Sequence, residues 1–176
     1  RAKLVLVLPA IILKVVGVVP EIKFWNQVQL PELLPDTNII TFAQTLADST
    51  ITLGGTQLDI TQNVTITGLG ATQLTIDANN ASRIFDVAMG TTASISGITF
   101  VNGNAIGSGP EGDGGAIRNF GTLTVTDSVL MNNTAQRNGG AIGSANTLTV
   151  SNTTIMNNTA GTDSGAIDSF GTTTIL

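Results

Sequence analysis

Gly114-Gly115-Ala116-Ile117-Arg118-Asn119-Phe120-Gly121-Thr122-Leu123-Thr124-Val125 returns as Gly139-Gly140-Ala141-Ile142-Gly143-Ser144-Ala145-Asn146-Thr147-Leu148-Thr149-Val150. A weaker third copy runs from Ser164-Gly165-Ala166-Ile167 to Thr172-Thr173-Thr174-Ile175. Each copy begins 25 residues after the one before, and Asn132-Asn133-Thr134-Ala135 recurs as Asn157-Asn158-Thr159-Ala160 at the same offset. A fixed period with apolar and polar residues alternating inside it is the mark of a solenoid, in which each coil buries its apolar face only by stacking on its neighbours. The chain is therefore expected to be all-β, a single-stranded parallel β-helix with coils of about 25 residues.

Alternation assigns side chains to faces, because successive residues of a strand point to opposite sides. Leu123 and Val125 are expected inside and the flanking threonines outside. Ser128, Leu130 and Asn132 share a face in the next strand, with counterparts Thr153, Ile155 and Asn157, and Ile98, Phe100 and Asn102 one coil earlier. Phe100, Leu130 and Ile155 are predicted to stack as a core column. Asn102, Asn132 and Asn157 are predicted to form an inward ladder at the bend, where stacked amides bond to one another and to turn backbone. Phe120, Ala145 and Phe170 form a further column, large-small-large.

Outside these copies the pattern loosens. Thr50-Ile51-Thr52-Leu53, Gln57-Leu58-Asp59-Ile60, Asn63-Val64-Thr65-Ile66-Thr67 and Gln73-Leu74-Thr75-Ile76-Asp77 alternate, with glycine or asparagine between them, and no segment keeps a helical period over helical length. Asn102 and Asn132 stand 30 residues apart, so five extra residues lie within 105–114; this Gly-rich stretch is expected to project from the stack as a loop. The domain division is 1–37 and 38–176, most regular from 114 to 176. The first segment is rich in Val, Leu, Ile and Pro and holds four of the seven Lys and Arg. Residues 4–8 and 11–19 read as buried strands bounded by Pro9 and Pro20, with Pro31 and Pro35 in a linker. The segment is expected to be a cap on the first coil or a strand exchanged between subunits.

Composition narrows the chemistry. Of 176 residues, 41% are hydrophobic, 11% charged and 4% aromatic, and the formal net charge of −5 argues against a nucleic-acid partner. Cysteine and histidine are both absent, which removes thiolate metal sites, disulfides and the common His-assisted nucleophiles. The sequence begins at Arg1 rather than Met, as expected of a processed product or a fragment. The apolar run 4–13 is interrupted by Pro9 and ended by Lys14, with no small-x-small cleavage site after it, so neither a signal peptide nor a membrane span is expected.

The GGAI and NNTA motifs resemble the right-handed parallel β-helix repeats (the pectate-lyase-like superfold) of bacterial surface and secreted proteins, closest to the GGAI and FxxN repeats of polymorphic outer-membrane proteins. GGAI stands at 114–117 and 139–142, with SGAI at 164–167. The FxxN position is Leu130-Met131-Asn132-Asn133 and Ile155-Met156-Asn157-Asn158, with Phe replaced, while Phe100-Val101-Asn102-Gly103 keeps Phe and loses the last Asn. The resemblance covers 38–176 and implies a right-handed coil and an extracellular or cell-surface location in a prokaryote.

The function expected first is a non-enzymatic structural or adhesive element with no cofactor. The last coil breaks off at Ile175 and Leu176 in mid-repeat, and Leu4, Val5, Leu6, Val7 and Leu8 are a sticky strand, so a head-to-tail homopolymer is one form of it. Host surfaces or polysaccharide are further partners. A second expectation is an enzyme acting on polysaccharide, for which acids Asp59, Asp77, Asp86, Asp127 and Asp168 read as scattered singly. Glu111 and Asp113 are the one close acidic pair and weak candidates for a cation. A third is ice binding: Thr122, Thr147 and Thr172 beside Thr124, Thr149 and Thr174 make an outward array resembling those of ice-binding solenoids. Ser94, Asp59 and Asp77 are expected to spoil it upstream. N-x-S/T sites at Asn63, Asn80, Asn132, Asn152 and Asn157 complete the inventory; those at Asn132 and Asn157 are expected to be shielded by pointing inward.

Overall fold

A computed structural model describes residues 3–5, 14–16 and 38–176. Strands β1 (Lys3–Val5) and β2 (Lys14–Val16) pair antiparallel, Lys3 opposite Val16. Leu4 and Val5 thus lie in β1 and part of the expected strand 11–19 in β2, whereas Leu6, Val7 and Leu8 and the other residues of 6–13 and 17–37 fall outside the described residues.

From Asn38 the chain winds. The first coil contains β3 (Asn38–Thr41), β4 (Ser49–Thr52) and β5 (Leu58–Ile60), and the second β6 (Val64–Thr67), β7 (Leu74–Asp77) and β8 (Phe85–Val87). The third contains β9 (Thr92–Ser96), β10 (Thr99–Val101), β11 (Asn104–Ala105) and β12 (Ile117–Asn119). The fourth repeats this with β13 (Thr122–Thr126), β14 (Val129–Met131), β15 (Thr134–Ala135) and β16 (Ile142–Ser144). The fifth has β17 (Thr147–Ser151), β18 (Thr154–Met156), β19 (Thr159–Ala160) and β20 (Ile167–Ser169), and β21 (Thr173–Ile175) opens a sixth.

Corresponding strands of successive coils pair in parallel. They make a first sheet of six strands, β3-β6-β9-β13-β17-β21, a second of five, β4-β7-β10-β14-β18, a third of five, β5-β8-β12-β16-β20, and a short fourth, β11-β15-β19. The chain is thus a parallel β-solenoid of about six coils. No helix of the described residues is long and apolar enough to cross a membrane.

Registers give the core its columns. Ile40, Ile66, Ile95, Val125, Val150 and Ile175 stand in line on the first sheet. Ile51, Ile76, Phe100, Leu130 and Ile155 do so on the second. Phe100 and Leu130 are fully buried, and the Phe85 and Phe100 rings meet edge to face with centroids 5.8 Å apart. Removing a side chain of this size from water stabilises by roughly 1.5–3 kcal/mol, so the columns supply the main cohesion between coils.

The bends explain why the repeat is written in Gly and Asn. Three places per coil take the left-handed conformation: Gly97, Asp127 and Asn152 after the first sheet, Asn102, Asn132 and Asn157 after the second, and Gly114, Gly139 and Ser164 before the third. Glycine, asparagine and aspartate adopt that conformation at least cost. The second glycine of GGAI answers a different need, because a Cβ on Gly140 would stand 2.2 Å from the carbonyl oxygen of Gly165 in the next coil.

Candidate functional site

The coil has chemically distinct outer faces. On the first sheet, inward Leu, Ile and Val leave every second residue facing out, and registers align these in three columns. One reads Thr65, Ser94, Thr124, Thr149, Thr174 after Ile39. The next reads Thr41, Thr67, Ser96, Thr126, Ser151. The third reads Thr92, Thr122, Thr147, continued at Thr172, whose carbonyl accepts from Leu148 N at 2.8 Å. Outward neighbours lie about 6.7 Å apart along a strand and about 4.8 Å apart between coils, which makes a lattice of hydroxyl and methyl groups.

Asp59 and Asp77, expected to interrupt this array, belong to the third and second sheets instead, so the upstream coils extend it. Their loops vary in length, and the 25-residue offset therefore misassigns their register. Thr122, Thr124, Thr147, Thr149, Thr172 and Thr174 are the last part of a longer surface.

The third sheet is charged. Its outward column runs Asp59, Asp86, Arg118, Gly143, Asp168. Two of the acids that look solitary in the sequence are thereby neighbours, and Asp86 pairs with Arg118. The hydrogen bonds that Arg118 donates to Asp86 come first, with the one to Glu111 adding to them, and they hold Arg118 above the ordinary arginine range against the opposing effect of burial. Its guanidinium also lies 5.1 Å from the centre of the Phe120 ring. Phe120 shares its bend with Ala145 and Phe170 as expected, but on the outside: Ala145 and Phe170 are exposed.

The five extra residues do not project. Gly109–Gly112 form a 3-10 turn folded back on this face. Arg83, 4% exposed, holds it: Nε donates to the Gly114 carbonyl at 2.9 Å, and Nη2 to those of Glu111 and Asp113, each at 2.8 Å. Gly107 N donates to Gln136 Oε1 at 2.9 Å and Arg137 N to the Gly112 carbonyl at 2.9 Å. A buried guanidinium presents five donors, and backbone carbonyls are the acceptors a folded loop has to spare. Burial, then the proximity of Arg118, pushes Arg83 down to about 10, which leaves it charged at neutral pH.

Glu111 and Asp113 are close in sequence but turn to different arginines. Glu111 Oε1 lies 2.8 Å from Arg118 Nη1 and Asp113 Oδ2 3.5 Å from Arg137 Nη1. No cluster of three acidic side chains able to hold a metal occurs among the described residues.

The asparagine ladder exists one position later than the alternation predicts. Asn102, Asn132 and Asn157 occupy the left-handed bend, and Asn132 and Asn157 are exposed. A left-handed residue interrupts the two-residue alternation, so the following residue turns inward instead. Asn133 is fully buried: its Oδ1 accepts from Gly103 N at 2.8 Å, and its Nδ2 donates to the Phe100 carbonyl at 3.2 Å and to Asn158 Oδ1 at 2.9 Å. Asn102 Nδ2 donates instead to Asp77 Oδ1 at 3.0 Å. All five N-x-S/T asparagines, including Asn132 and Asn157, are exposed. Buried Asn119, which donates to Ser144 Oγ at 2.9 Å, is a second interior amide; its position after Ile117 in the alternation was the available signal.

Compared with known proteins, the chain matches no family model, no curated protein and no solved structure at a significant level.

Proposed function

We propose that this chain is a non-enzymatic structural and adhesive β-solenoid of the extracellular or cell-surface kind, with the hydroxyl face of the first sheet as its contact surface. The observation that carries the reading is the Thr/Ser lattice of the first sheet, three columns wide from the third coil to the fifth, continued by one or two columns in the flanking coils and free of charged residues. The arginines after residue 38 are engaged in holding the inserted loop and its flanking acids, which fits a scaffold role for the charged face. The GGAI and FxxN resemblance supports the location and the prokaryotic setting.

A flat, repeating, uncharged array suits a partner that is itself periodic and hydroxylated, such as the surface of an insoluble polysaccharide. Co-sedimentation of the full chain with insoluble β-glucan or chitin tests this. Saturable binding that soluble monosaccharide does not compete away is expected, and no retention on any such solid would overturn it. Ice binding is the second reading, favoured by the extension of the array upstream. Thermal hysteresis with no retention on polysaccharide would select it.

Self-association is the finer form of the structural reading. Strands of successive coils pair in parallel throughout the solenoid, and a coil of a second copy can extend the same sheets by the same pairing. Sedimentation velocity over a range of concentrations is expected to show reversible growth; a strictly monomeric chain would end the fibre reading.

A further inference from the structure

Away from the hydroxyl face, an open cleft of about 210 Å³ lies beside the inserted loop, lined by Gln57, Ser82, Arg83, Asn104, Ile106 and Glu111 among others. We propose that this cleft is a binding site for a small monoanion carrying one carboxylate and hydroxyl groups.

The cation comes first. Arg83 is almost wholly buried, yet among the described residues no carboxylate lies within ion-pair distance of it. Its partners are neutral: the carbonyls of Glu111, Asp113 and Gly114, and Gln57 Oε1, which accepts from Nη1 at 2.6 Å. Nε and both Nη2 protons are taken by the loop and one Nη1 proton by Gln57, which leaves one Nη1 N–H. The acids nearby are turned elsewhere, Glu111 and Asp86 both to Arg118. A desolvated guanidinium whose direct hydrogen bonds all go to neutral acceptors retains attraction for an anion that reaches its free N–H.

The second donor is Ser82, whose Oγ is buried without a hydrogen-bond partner and which lines the same cleft. One N–H and one O–H match the two oxygens of a carboxylate. Asn104 donates its amide to the Asn80 carbonyl at 3.0 Å, leaving Oδ1 as an acceptor for a ligand hydroxyl. Ile106, 71% exposed, offers an apolar contact at the wall. The three acids around Arg83 make a doubly charged ligand unfavourable, which selects a carboxylate over a phosphate dianion.

Titration of the ¹⁵N-labelled full chain with glucuronate tests the assignment, with glucose and inorganic phosphate as parallel arms. Glucuronate is expected to shift the Ser82 and Asn104 amides saturably, with a Kd on the order of 1 mM, as suits one charge-assisted contact set. Ser82→Ala, which leaves the loop contacts of Arg83 in place, is expected to weaken binding several-fold while the remaining spectrum stays unchanged. Arg83→Lys is expected to abolish binding. Absence of a saturable shift with glucuronate would overturn the proposal, as would equal shifts with glucose. Tighter binding of phosphate would overturn the carboxylate assignment.

Discussion

Gly139 has a φ of 62°, and a Cβ there would stand 2.2 Å from the Ile142 carbonyl oxygen. Gly139→Ala is therefore expected to destabilise the chain by at least about 2 kcal/mol in urea unfolding, since both the dihedral and the space forbid it. The two asparagines of each NNTA motif separate just as clearly. Asn133→Ala leaves Gly103 N and the Phe100 carbonyl without their buried partner and is expected to lose about 3 kcal/mol. Asn132→Ala loses only a residue tolerant of the left-handed bend, about 1 kcal/mol. Equal losses at the two positions in the same urea titration would contradict the ladder geometry. The doublet itself was legible in the sequence; which member points inward was not, because alternation holds only while every residue is extended.

Among the elements, the strands of the regular copies could be read directly. Leu123 and Val125 inside, with Thr122 and Thr124 outside, follow from period-2 patterning. The upstream registers were hidden, because Ser94 follows its partner Thr65 by a different interval from that separating Thr124 and Thr149. The inserted loop was located but not its disposition, since nothing local in Gly-Ser-Gly-Pro announces that Arg83, two dozen residues earlier, will gather its carbonyls. Folding it down also concentrates acids around the third sheet. Burial first, then Asp113 and Asp163, raises the Asp168 carboxyl above its ordinary range. A raised acid binds its proton more tightly when folded, so its contribution is favourable at low pH and is lost as pH rises through the folded value. Asp168→Asn is accordingly expected to raise the melting temperature at neutral pH and to have no such effect at about pH 3. A variant less stable than the parent at neutral pH would contradict this.

At the scale of the whole molecule, stacking gives one chain three long walls of different chemistry. The hydroxyl wall is uncharged, the second sheet presents a mixed row ending in Val101, Met131 and Met156, and the third carries the acids and Arg118. This division follows from parallel register alone, since each coil places its outward residues above those of the coil before. The repeat conveys the architecture because most of its recurring positions maintain the stack. The proposed contact surface is made of residues that face outward, and their alignment becomes visible once the coils are in register. Binding to insoluble polysaccharide by face-specific lysine variants tests the contact surface most directly. Thr124→Lys with Thr149→Lys places two charges within the hydroxyl wall, while Thr50→Lys with Thr154→Lys places two on the second sheet. Retention is predicted to fall at least tenfold for the first pair and to stay at the parent level for the second; equal loss from both, or from the second alone, would contradict the assignment of the hydroxyl wall.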